Sequence, residues 1–178
     1  MPRRSIGAIL LLLLLAAGVS SPSAAADKPV WPLTLRDGIP TAIPGWDAAP
    51  RDPLPDTGEN EMGAYTEVSR FFQRIEPSTA RQFRIAVQDY GKEKNLAGDI
   101  RRAMSEAGKT AGVETAALQI GGLDAYAVTD RTQGQPTTLV TIVVLPGRLV
   151  LGQGSNVDRD EAVKLLGRVD YAKIAAAK

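Results

Sequence analysis

Neither cysteine nor histidine occurs among the 178 residues, and aromatic residues make up only 5%. Without cysteine the chain forms no disulfide, no thiolate metal site and no thiol nucleophile, and a bacterial lipoprotein anchor is excluded because it needs a lipid-accepting cysteine. Without histidine there is no imidazole base. That removes the usual serine triad, and no Ser-x-x-Lys string offers the lysine-assisted form. An excess of one charge is missing too: 21 Lys and Arg stand against 20 Asp and Glu, a net of +1. The balance is wrong for a disordered tail and for an electrostatic nucleic-acid binder. What remains, 44% hydrophobic and 23% charged, is an ordinary globular composition.

The first residues read as an export address. Arg3 and Arg4 supply the charge, Ile6 to Val19 form an apolar run, and Ala24-Ala25-Ala26 fits the small-residue cleavage rule. The run falls short of the roughly 20 residues a spanning helix needs. Residues 1–26 are therefore expected to be a signal peptide, with Asp27 as the mature N-terminus and a periplasmic or secreted product lacking a membrane anchor. The leader takes two of the 21 basic residues and none of the 20 acidic ones, leaving a mature net charge of −1.

Residues 27–60 form a proline-rich strap. Pro29, Pro32, Pro40, Pro44, Pro50, Pro53 and Pro55 lack backbone donors and restrict their predecessors, so no helix is expected there and at most a short strand near Leu33-Thr34-Leu35. Arg51 to Gly58 reads as a mobile loop. Both tryptophans, Trp31 and Trp46, lie in the strap. Exposed, they would make a platform contacting a ligand or partner; buried, they would be anchors pinning an irregular segment to the body. The anchor reading is favoured, because burying one such ring contributes several kcal/mol by area.

Residues 61–178 read as a single α+β domain with the strap packed on it. Tyr65 to Ile75 and the alternating Phe83, Ile85 and Val87 predict an antiparallel hairpin. The i, i+4, i+7, i+8 spacing of Leu96, Ile100, Ala103 and Met104 predicts a helix over 95–106, stopped by Gly108. Val113 to Ile120 and Leu123 to Thr129 flank Gly121-Gly122, a tight-turn pair. Thr138 to Gly152, broken by Pro146-Gly147, is apolar on both sides and must be central and covered on both faces. Asp158 with Glu161 has capping-box spacing for a last helix, whose stripe Tyr171 and Ile174 continue after a kink. Short turns between strands demand antiparallel pairing. The expected fold is α+β: a mainly antiparallel twisted sheet with helices on both faces.

This order, with Ile43-Pro44-Gly45-Trp46 ahead of the first hairpin, Gly122-Leu123-Asp124-Ala125-Tyr126 before the central strands and a last helix running into Asp170-Tyr171, resembles small exported bacterial proteins with a PsbP-like α/β/α sandwich. The resemblance spans roughly Leu33 to Ile174. It implies that fold and an accessory or binding role, and it transfers no catalytic residue.

Two chemical motifs fail on context. Ala103 to Thr110 has relaxed phosphate-loop spacing, but it closes a helix rather than opening one, so its helix end repels phosphate. Asn156, Asp158, Asp160 and Glu161 suggest calcium, yet the sixth and twelfth positions of an EF-hand loop hold Glu161 and Gly167 instead of Gly and Glu. Paired carboxylates remain formally open among Glu61, Glu67, Asp89, Asp99 and Asp124, since a glycosidase needs two at a set separation. No catalytic, cofactor or metal-binding residue is assigned. The expected function is a non-catalytic binding or accessory protein of the cell envelope whose partner is an envelope protein or a small ligand, not nucleic acid, with its site in the groove beside the strap or at an uncovered sheet edge. The alternatives are a carboxylate-only hydrolase of envelope polysaccharide and a secretion or assembly chaperone for an exported client.

Overall fold

The computed structural model describes residues 32–50, 55–60, 62–91 and 96–177. The expected signal peptide of residues 1–26, Trp31 and Glu61 lie outside the described residues. The elements in chain order are α1 (Pro32–Arg36), β1 (Asp47–Ala48), β2 (Asp56–Asn60), β3 (Gly63–Glu76), β4 (Thr79–Asp89), α2 (Leu96–Ala107), β5 (Val113–Ile120), β6 (Leu123–Asp130), β7 (Thr137–Leu145), β8 (Arg148–Ser155), α3 (Arg159–Leu166) and α4 (Tyr171–Ala176). The strands form one eight-stranded sheet in the order β1-β3-β4-β8-β7-β6-β5, with β2 also paired to β3. Every pairing is antiparallel. The chain is thus α+β, and the valine- and leucine-rich β7 and β8 lie inside the sheet between β4 and β6.

Alternation along the strands sorts the side chains into two sets. Val68 pairs with Val87, Val87 with Val150, Val150 with Ile142, and Ile142 with Ala125, so these share one face. They belong to the principal core, which α3 and α4 complete with Ala162, Leu165, Leu166 and Ile174. Residues of the opposite parity, Tyr126, Val128 and Val143, cluster instead with Met104, Ala107 and Ile100 of α2. Gly152 faces the principal core: a Cβ there would stand 2.6 Å from Leu166 and 2.9 Å from Phe83. The missing side chain lets a helix and an aromatic ring settle against the central strand.

The local rules account for most boundaries. Gly121 and Gly122 have φ of 60° and 79°, the two positive values a two-residue hairpin turn requires. Gly108 donates to the Met104 carbonyl at 2.9 Å as α2 ends, and the Asp158 side chain accepts from the Glu161 N–H at 2.9 Å as α3 begins. The phosphate-loop-like string is therefore a helix end and the turn into β5. The last helical pattern is two helices: Gly167 caps α3, and Asp170 starts α4 by accepting from the Lys173 N–H at 3.0 Å.

Two expectations for the strap are corrected. A helix, α1, occupies the place of the expected strand; it begins at Pro32, and the first helical position tolerates proline because its N–H would have no partner in any case. Gly58 belongs to β2 rather than to a loop, since Asp56 to Asn60 pair with Glu67 to Gly63. Hydrophobic alternation could not reveal β2, which has none; the long neighbouring strand holds it in place.

Candidate functional site

The strap enters the core through Leu35, Ile39, Ile43 and Trp46. Trp46 is only 8% exposed. Its ring meets Phe83 edge-on at 6.3 Å, and the Arg74 guanidinium lies over it at 5.3 Å. Arg74 is itself held by Glu76 at 2.8 Å and Glu161 at 3.3 Å. Trp46 is an anchor with little free surface for a ligand.

Pinned this way, the strap runs beside α4, and the Asp170 N–H donates to the Gly38 carbonyl at 2.9 Å. The Lys173 N–H and ammonium hold the Asp170 carboxyl below its usual range. At its other end α4 is fastened from inside. Arg148, buried, pairs with Asp89 at 2.7 Å and reaches the carbonyls of Ile174, Ala175 (3.4 Å) and Ala177 (3.2 Å). These are the acceptors a helix C-terminus leaves without intrahelical donors.

Between strap and helix lies an open groove of about 560 Å³, lined by Thr34, Arg36, Asp37, Ile39, Thr41, Arg70, Lys173, Ala176 and Ala177. Arg70 comes from β3, where it shares the face of Val68 and Phe72, and is 7% exposed. Three cations and the Asp37 carboxylate therefore line the groove with an apolar wall of Ile39, Ala176 and Ala177, and Lys173 is also paired with Asp170 at 3.3 Å. Such a surface attracts a small anion and offers its hydrocarbon part a dry contact. The sequence predicts a site beside the strap, but no spacing in it singles out these cations. One signal was present: Arg70 sits at the core-facing parity of a strand, where an arginine needs a reason.

On the opposite parity a hydrogen-bonded chain crosses the start of β3 and the end of β4. Asn60 donates to the Tyr90 hydroxyl at 2.8 Å, Tyr90 to Gln88 at 2.9 Å, and Gln88 to Glu67 at 2.8 Å; Glu67 also pairs with Arg84. The candidate acids are dispersed. Glu67 and Asp89 point to opposite faces and each holds an arginine, Asp99 sits on α2 beside Arg102, and Asp124 is exposed at the start of β6.

Burial raises the pKa of the Tyr90 phenol, and likewise that of Tyr171, whose hydroxyl donates to the Leu166 carbonyl at 2.7 Å. Each folded value lies above the ordinary 10.0. Below that pH both states keep the proton and the contribution to stability is complete; above it the unfolded chain ionises first, so stability falls as pH rises. The urea midpoint is expected to drop steadily above about pH 10, and less steeply in Tyr90→Phe. Equal slopes for the two proteins would contradict this origin.

Compared with models of known protein families, with curated proteins and with solved structures, the chain matches none of them.

Proposed function

We propose that the chain is an exported, non-catalytic binding or accessory protein of the cell envelope, and that the groove between strap and α4 takes a small organic anion. One observation carries this reading: Arg36, Arg70 and Lys173 line a single groove with one carboxylate, Asp37. The volume, about 560 Å³, suits a small ligand, whose sites commonly span about 300–1,000 Å³. The ligand class that fits is a carboxylate or phosphate on a short hydrocarbon frame. Export to the periplasm or beyond rests on the leader pattern of residues 1–26.

The architecture proposed to carry the site is a PsbP-like sandwich with helices on both faces. The division of partners supports it: α2 clusters with Tyr126 and Val128, whereas α3 and α4 cluster with Ala125 and Ala127. The placement of the acids weighs against a paired-carboxylate hydrolase. The groove holds Asp37 and a smaller cleft near β4 holds Asp158, one acid each, where a glycosidase uses two. A chaperone reading draws on Phe71 and Ile75, which are 53% and 74% exposed on one face of β3.

The test is thermal melting of the purified protein with citrate, and separately with inorganic phosphate, against chloride of equal ionic strength. At about 10 mM anion the melting temperature is expected to rise in the wild type and to stay put in the Arg36→Gln/Lys173→Gln double variant. Identical responses of the two proteins would reject the groove as the site.

A further inference from the structure

The two margins of the sheet are built differently. On the β3 side the margin is β2, five residues of which Asp56 and Glu59 are acidic, and β1, two residues long. Ala49 adds an N–H to the Phe71 carbonyl at 2.9 Å beyond β1. Short and charged margins resist pairing with another chain. The opposite margin is β5, which pairs with β6 along its whole length from Val113 to Ile120 without a register shift. It has no proline, and Glu114 is its one charged residue.

The turn fixes which backbone groups of β5 are spoken for. Ile120 and Leu123 close a two-residue hairpin, so Ile120, Leu118, Ala116 and Glu114 exchange hydrogen bonds with β6. The N–H and C=O groups of Thr115, Ala117 and Gln119 point away from β6, and these three residues are exposed. Among the described residues no strand pairs with them, and Glu114 is the single charge on β5.

We infer that β5 pairs antiparallel with β5 of a second copy about a two-fold axis normal to the sheet, joining two sheets edge to edge. The second copy is the occupant because the strand matches itself. Registers centred on Ala116 or on Ala117 keep every residue on its own face, bring small side chains together at the axis, and set Glu114 opposite Leu118 or Ile120 rather than opposite its own copy. Closure argues the same way. The β3 margin is blunted by β2 and β1, so the pairing uses up the one open edge among the described residues of each copy and stops at a dimer. None of this depends on the groove or its ligand.

Light scattering coupled to gel filtration tests the inference on the purified protein. The wild type is expected to run at about twice the chain mass at concentrations near 50 µM, and Ala117→Pro as a folded monomer, because proline removes an outward donor and leaves the β6 ladder intact. Thr115→Lys, a charge at the seam, gives the same monomer and decides the matter if the proline variant fails to fold. Hydrogen exchange should show the Thr115, Ala117 and Gln119 amides protected in the wild type and fast in the variants. A wild type that stays monomeric, a dimer that survives a folded edge variant, or assembly beyond two copies would each overturn the inference.

Discussion

Gly147→Ala is expected to destabilise the fold by more than about 3 kcal/mol, beyond the usual range for overpacking, because the obstacle is backbone rather than a movable side chain. A Cβ at position 147 would stand 1.5 Å from the Gly91 carbonyl oxygen and 2.7 Å from its carbon. The two segments cannot simply part, since the Tyr90 N–H donates to the Gly147 carbonyl at 2.8 Å, and Asp89, which accepts from the Gly91 N–H at 2.7 Å, is paired with Arg148. The contact also sits at the turn between β7 and β8, next to the register shift at Val143 and Leu145. Relieving the clash therefore disturbs the central strand pair. Urea denaturation measures the effect; a midpoint close to that of the wild type would show that the turn has room to move.

Arg148→Leu should cost about 3–5 kcal/mol, the range for breaking a buried ion pair from one side. Two losses combine. Asp89, itself buried, is left as an uncompensated charge, and the carbonyls at the end of α4 lose their donor. The double variant Asp89→Asn/Arg148→Leu removes the stranded charge but not the second loss, so it should recover part of the stability and not all of it. Chemical denaturation of the four proteins in the cycle separates the two contributions. If Arg148→Leu and the double variant are equally stable, the carbonyl contacts rather than the charge pair dominate.

How much of this was legible depends on whether the cause is local. Val113 to Ile120 could be read to the residue because the Gly121-Gly122 turn and a glycine-flanked run bound it on both sides. The start of α3 was equally plain, since a cap and its partner are three residues apart. α1 escaped because a proline cluster argues against helix everywhere except at the position Pro32 occupies. β2 escaped because its pairing energy comes from β3 and not from its own side chains. The groove was legible only as a place. Arg36, Arg70 and Lys173 are brought together by the packing of the strap on α4, a long-range event that leaves no spacing in the chain. Trp46 was legible as an anchor for the opposite reason: an irregular segment without ladder hydrogen bonds has to be held by bulk, and Phe83 and Arg74 supply the socket.

The proposal stands on the groove between strap and helix being a binding surface for anions, and an amide NMR titration of the purified protein with citrate tests it most directly. Saturable shifts are expected in residues 34–41, at Arg70 and over 173–177, with little change along β5 or at Phe71 and Ile75. Shifts that never saturate, or that centre on the Phe71–Ile75 face while the groove stays silent, would contradict the account and move the site elsewhere.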